Sequence, residues 1–174
     1  MGAGAGRPTR AVKGFSRAGR WDVRMPMAAT ASPDESALRA FLAMLPPEAS
    51  LPARTLAHAW TAAGGNLQVG KLTARLVAAA PDGRAFTAAT LHGAGAAGDG
   101  VPRLELARVL LQAHGVTATD WTSWCDERAE LAAHGFDPAA KYPTLPLADL
   151  PPATVARLAL GLRDLCRLAQ GLAA

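Results

Sequence analysis

The positive charge of this chain is concentrated in its first 24 residues, and this restricts which part of the chain can fold. Six of the 18 basic residues precede Met25, against a single acidic residue. From Met25 onward the chain carries 12 basic and 13 acidic residues, so this part is close to neutral. A segment made largely of Gly, Ala and Arg cannot bury much apolar surface. We therefore predict a disordered basic tail over residues 1–31 and a single folded domain over residues 32–174.

The basic tail has three interpretations. Its Arg-rich, acid-poor composition is typical of a transit peptide, which would direct the protein to an organelle. A secretory signal is excluded because the segment has no apolar h-region. In the third interpretation, which we favour, translation begins at Met25 or Met27, and residues 1–26 are absent from the cell. The excess of Arg over Lys, 15 to 3, suggests a GC-rich genome. On this interpretation we expect the protein to be cytoplasmic.

The near-neutral body restricts the classes of partner. Phosphate contacts normally need a basic surface, so we do not expect the body to bind nucleic acid. The longest apolar stretch, residues 155–172, is interrupted by four charged residues, and we expect no membrane span. Cys125 and Cys166 form no CxxC pair. We therefore predict reduced thiols, with neither a disulfide framework nor a metal site, and we expect no cofactor.

Two helices are predicted at the start of the domain. Ser32-Pro33-Asp34-Glu35 has the pattern of a capping box, with Ser at the N-cap and Glu at N3. Apolar residues then recur at helical spacing, which predicts a helix over 33–45 that ends at Pro46-Pro47. A second helix is predicted over 52–63, ending at Gly64-Gly65-Asn66.

Residues 67–92 fit two interpretations. In the first, strands over 67–79 and 84–92 form a hairpin that turns at Pro81-Asp82-Gly83. In the second, 67–79 is a helix, because its apolar residues also keep a helical period. The turn residues and the Thr-rich second strand favour the hairpin. The glycine-rich run 93–100 that follows matches no phosphate-binding motif and predicts a flexible connector.

Two helices with similar endings are predicted after this connector, over 102–114 and 118–134. They end in His114-Gly115-Val116 and His134-Gly135-Phe136, respectively. A glycine in the left-handed conformation followed by an apolar residue is typical of a Schellman motif. A His in the last turn suits the negative end of the helix dipole.

The last predicted helix, over 151–171, follows a Pro-rich crossing at 141–152 that must be largely extended. Its apolar residues alternate in steps of three and four, which makes a short seam of the a/d type. The members of this seam are Val155, Leu158, Leu162, Leu165, Ala169 and Leu172. We expect the seam to pack against the hairpin, a partner protein or a second copy of the chain.

The residues that could act as metal ligands or nucleophiles are better explained by structural roles. Glu130 and His134 have the i,i+4 spacing of metal ligands, but a single pair is more typical of a surface contact. Cys125 is flanked by Asp126 and Glu127, which would raise its pKa and make it a poor nucleophile. No Ser-His-Asp pattern or GxSxG motif is present. We assign no catalytic, cofactor-binding or metal-binding residue.

Trp121 and Trp124 are three residues apart and share one helix face. If buried they belong to the core, which we favour, and if exposed they mark a binding patch. We retain both as candidate interaction residues, together with Leu158, Leu162 and Leu165 of the seam.

These patterns predict an α+β fold, with a small antiparallel hairpin or sheet packed against four to five helices. The function that we expect is a non-catalytic interaction or accessory module. One alternative is a winged-helix DNA-binding protein with its recognition helix at 67–79. The other is an enzyme whose site forms between loop 93–102 and the Trp-bearing helix. This enzyme would bring His92, His114 or His134 together with a carboxylate.

Overall fold

The structure consists of an antiparallel sheet of five strands with helices before, between and after them in the sequence. It is a computed structural model that describes residues 35–80, 82–95, 100–148 and 150–171. These ranges contain five α-helices, one 3₁₀ helix and a single five-stranded sheet. The prediction of an α+β fold is confirmed. The predicted tail over 1–31 and the first three residues of the capping box, 32–34, lie outside the described residues.

Two helices precede the sheet, as predicted. They are α1, Glu35–Ala43, and α2, Pro47–Ala62. The second helix begins five residues earlier than predicted. Pro47 occupies its first turn, where the missing N–H of proline has no intrahelical acceptor to satisfy. The proline pair therefore both ends α1 and begins α2.

The sheet is a meander in which the spatial order of the strands follows the sequence. Its strands are β1, Asn66–Val69; β2, Thr73–Ala79; β3, Ala85–His92; β4, Arg103–Leu106; and β5, Thr144–Pro146. Every neighbouring pair is antiparallel. The hairpin interpretation of 67–92 is confirmed. The winged-helix interpretation required a recognition helix in this segment. That prediction is wrong, because the segment pairs as β1 and β2.

The prediction of one helix over 102–114 is also wrong. Its first part is strand β4, and only Arg108–Ala113 forms a helix, α3. Leu104 and Leu106 are fully buried while Arg103 and Glu105 are partly exposed, a two-residue alternation that a strand satisfies. Pairing with β3 on one side and β5 on the other holds this short segment extended.

The Trp-bearing segment is likewise divided, although it was predicted as one helix. Helix α4, Ala118–Asp126, is followed by the 3₁₀ helix Ala129–His134. Both predicted glycine stops are confirmed, because Gly115 and Gly135 have φ angles of 107° and 78°. The N–H of Val116 donates to the carbonyl of Leu111 at 3.1 Å, which is the long bond of a Schellman motif.

The core lies between the helices and one face of the sheet. Helix α5, Pro152–Ala169, packs most extensively against α2 and also contacts α3, α4 and β2. The buried face of the sheet carries one apolar residue or more from each strand: Leu67, Ala74, Leu76, Ala89, Leu91, Leu104, Leu106 and Leu145. The other face carries a polar row that crosses all five strands in register: Gln68, Arg75, Thr90, Glu105 and Thr144.

Candidate functional site

The five candidate interaction residues from the sequence are all buried. Trp121 and Trp124 are 3% and 4% exposed, and their rings stack with centroids 5.4 Å apart. Leu158, Leu162 and Leu165 are at most 2% exposed. All five therefore pack inside the chain, which for Trp121 and Trp124 is the core position that we favoured from the sequence. The seam as far as Ala169 is buried within the chain, which removes these apolar side chains from water without a partner.

The histidines of the enzyme hypothesis are held in three separate environments. The Nε2 of His92 lies 3.7 Å from a carboxylate oxygen of Glu105, on the polar face of the sheet. The ring of His114 stacks on Phe86 with centroids 4.3 Å apart, and His134 ends the 3₁₀ helix. Only His92 of these three lies within 4 Å of a carboxylate oxygen in the described ranges. In the same ranges no three His, Cys, Asp or Glu side chains are grouped as metal ligands would be.

Both thiols are reduced and poorly suited to nucleophilic chemistry. Burial and the charge of Asp126 raise the pKa of Cys125 to about 11. Burial raises the pKa of Cys166 to about 12, although Arg163 partly opposes the shift. Since the thiolate is the nucleophile, neither side chain is reactive near neutral pH.

Three arginines hold parts of the fold together. Arg163 donates to the carbonyls of Ala63 and Gly64 at the end of α2 and lies over the ring of Trp60. Arg128 lies over Trp124 and donates to its carbonyl at 2.9 Å. In each case a planar guanidinium both stacks on a tryptophan and satisfies carbonyls at a helix end.

Arg108 follows the same pattern at a turn. Its Nη1 donates to the carbonyls of Pro138 and Ala139, each at 2.9 Å, and its guanidinium lies 5.7 Å from the ring of Trp121. The indole N–H of Trp121 donates to the same Pro138 carbonyl at 3.1 Å. These three arginines each hold a helix end or a turn through backbone carbonyls.

Arg54 differs from these three. It is exposed on α2, and no ion pair or hydrogen bond joins it to any other residue in the described ranges. Arg75, on the polar face of the sheet, is likewise unpaired there. Arg75 lies on a sheet face, whereas Arg54 lines a cleft. We therefore take the cleft as the candidate site.

The cleft lies between α1 and α2 and has a volume of about 350 Å³. One wall consists of Ser50, Arg54 and His58, which are spaced one turn apart on a single stripe of α2. The opposite wall comes from α1, with Glu35, Arg39 and Ala43. At the base lie the apolar side chains of Leu38 and Leu42, each 6% exposed. We call this feature the α1–α2 cleft.

The charge of the α1–α2 cleft is positive. Arg39 lies 3.7 Å from Glu35, so these two opposite charges offset one another on the α1 wall. This pair is highly exposed and contributes little to stability. Arg54 remains as an unbalanced positive charge. The cleft therefore combines an apolar base with a cationic wall.

The cleft was not recognised from the sequence. The signal was present as Ser50, Arg54 and His58 at intervals of four, which forms a polar stripe along one side of the helix. Sequence periodicity shows such a stripe but does not show whether it faces open solvent or the neighbouring helix. That depends on the angle between α1 and α2, which the short turn after Ala43 sets.

Comparison with known proteins gives no match among protein-family models, curated proteins or solved structures. Among the residues that the structure describes, no helix has both the length and the apolar character that crossing a membrane would require.

Proposed function

We propose that this protein is a non-catalytic interaction module that binds an acidic segment of a partner protein in the α1–α2 cleft. The observation that carries the proposal is the unpaired guanidinium of Arg54 above an apolar base formed by Leu38 and Leu42. A cation beside apolar surface suits a peptide that offers a carboxylate and an aliphatic side chain together.

Charge complementarity favours another chain as the occupant over the basic N-terminal segment of this one. The first 24 residues of this protein carry six basic residues and one acidic residue, so they have the same sign of charge as the cleft. An acidic segment of another protein would gain both the Coulomb attraction of Arg54 and burial of its apolar anchor. A carboxylate there would also be held by hydrogen bonds from a planar, two-pronged donor.

A binding experiment with designed peptides tests the proposal. The probe is a fluorescein-labelled peptide with leucines among glutamates, and fluorescence anisotropy measures its affinity for the full chain. Two control peptides have lysine in place of glutamate or serine in place of leucine. We expect the glutamate–leucine peptide to bind at least about tenfold more tightly than either control, a difference of about 1.4 kcal/mol.

Two charge-reversal variants locate the binding. Arg54→Glu should weaken the glutamate–leucine peptide by at least about tenfold. Arg84→Glu is the matched control, because Arg84 is also exposed but lies on the β2–β3 turn beside Asp82. Equal affinities for the two variants, or for the lysine and glutamate peptides, would contradict the proposal. Loss of the leucine dependence would contradict the assignment of an apolar anchor.

A further inference from the structure

The two edges of the sheet are unequal in the hydrogen-bonding groups that they leave unpaired. Strand β1 forms one edge and β5 the other. An edge strand presents N–H and C=O groups to which another strand can pair, and proteins usually block such edges with proline, charge or a covering element. The pairing of each edge strand with its inner neighbour shows which groups point outward.

On β1 the outward groups belong to Leu67 and Val69. The N–H of Gly70 donates to the carbonyl of Thr73 at 2.8 Å, which fixes this position as a hydrogen-bonded pair. Bonded and non-bonded pairs alternate along an antiparallel ladder, so Gln68 also bonds to β2. Leu67 and Val69 therefore direct both their N–H and C=O groups away from the sheet. Nothing in the described ranges hydrogen-bonds to these outward groups.

The opposite edge is blocked. The N–H of Leu106 donates to Pro143, and the N–H of Leu147 donates to Pro102, so Leu145 also bonds to β4. The outward residues of β5 are then Thr144 and Pro146. Because proline has no N–H, this edge offers a single outward donor, which is a common protection of an edge strand.

We propose that β1 is a self-association edge through which two copies of this chain pair as antiparallel strands. In this arrangement a two-fold axis passes beside Gln68, and Leu67 of one copy lies opposite Val69 of the other. Each such pair exchanges two backbone hydrogen bonds, and the symmetry creates the pair twice. The result is a continuous sheet through both copies.

A second copy fits this edge for two reasons. The four residues of β1, Asn66–Val69, carry no charge, so identical strands meet without repulsion. The register also matches every outward donor with an outward acceptor of the other copy, since both copies present the same two residues. The interface is small, so the dimer is weak and depends on protein concentration. This inference is independent of the function proposed for the cleft.

Sedimentation of the full chain over an approximately hundredfold range of concentration tests the pairing. We expect wild type to shift from monomer to dimer. Val69→Pro removes an outward N–H at an edge position that tolerates proline, and it should remain monomeric with an unchanged circular dichroism spectrum. Thr144→Lys, at the blocked edge, is the control and should dimerise like wild type.

A charge-swap pair gives a test that does not depend on proline. Gln68 faces its own copy at the axis, so Gln68→Lys and Gln68→Glu should each be monomeric through like-charge repulsion. An equimolar mixture of the two variants should recover a heterodimer. A wild type that stays monomeric throughout the range, single variants that dimerise like wild type, or a mixture that stays monomeric would each overturn the inference.

Discussion

Helix α2 has a closed side and an open side, and the contrast between them separates structural charges from those that can bind a ligand. On the closed side it packs along α5, where Leu162 is fully buried and Arg163 donates to the carbonyls of Ala63 and Gly64, just after α2. On the open side α1 makes far fewer contacts and leaves the α1–α2 cleft. Arg163 donates hydrogen bonds to backbone carbonyls at this end of α2, whereas Arg54 donates to no residue in the described chain.

Some arginines are therefore held in place by contacts within the chain, whereas Arg54 has no such contact in the described ranges. Stacking on tryptophan and donating to carbonyls fixes the orientation of Arg108, Arg128 and Arg163. A lysine could not replace these arginines, because its ammonium has no planar face and no fork. Three of the arginines in this chain therefore have a structural role.

The largest expected effect comes from placing a charge on the closed side. Leu162→Glu buries a carboxylate among apolar side chains and should cost more than about 4 kcal/mol, enough to abolish a cooperative thermal transition. Leu160→Glu lies on the outer face of the same helix, where Leu160 is 51% exposed, and should change stability by less than about 0.5 kcal/mol. A folded Leu162→Glu protein would show that α5 does not close this side.

The reactivity of the two thiols measures how often the packing on the closed side opens to solvent. With the pKa of Cys125 raised to about 11 and that of Cys166 to about 12, both are almost wholly protonated at pH 8. We expect Ellman's reagent to modify Cys166 at least about 100-fold more slowly than free cysteine, and Cys125 to react faster as the pH rises toward its pKa. Both should react at the free rate in denaturant. Rapid native modification of Cys166 would mean that α5 opens readily.

A smaller effect is expected when the arginine at the end of α2 is removed. Arg163→Ala deletes two charge-assisted bonds and a contact with Trp60, and it should lower the free energy of unfolding in urea by about 2 kcal/mol. One guanidinium nitrogen, Nη1, is buried without a partner in the described ranges, which limits this value. Arg163→Lys should recover less than half of the loss. Arg167→Ala, on the exposed face of α5, should have little effect.

The smallest change in stability is expected on the open side. Because Arg54 is exposed and unpaired, Arg54→Ala should alter the free energy of unfolding by no more than about 0.5 kcal/mol while weakening the acidic peptide. The paired measurement distinguishes a binding residue from a structural one. A loss of stability equal to that of Arg163→Ala would place Arg54 in the structural class.

The sequence predicted those features that local chemistry determines. The Gly115 and Gly135 stops, the turn around Gly83 and the amphipathic period of α5 each depend on residues close in sequence. The burial of Trp121 and Trp124 was also the favoured interpretation, since large aromatic side chains are scarce in this chain.

Features that depend on contacts between residues far apart in the sequence were not predicted. Residues 103–106 continue with the helical period of α3, and only the ladders to β3 and β5 make them a strand. The α5 seam was correctly periodic, but its partner turned out to be α2 of the same chain. The α1–α2 cleft depends on how two helices meet across Pro46-Pro47, which no residue pattern within either helix specifies.

The most direct test of the open-side account is to map the acidic peptide onto the protein by NMR. We predict that adding the glutamate–leucine peptide shifts the amide resonances of residues 35–43 and 50–58 and leaves those of α5 and the sheet in place. Shifts centred on the sheet or on α5, with α1 and α2 unmoved, would contradict the claim that the α1–α2 cleft is the binding site.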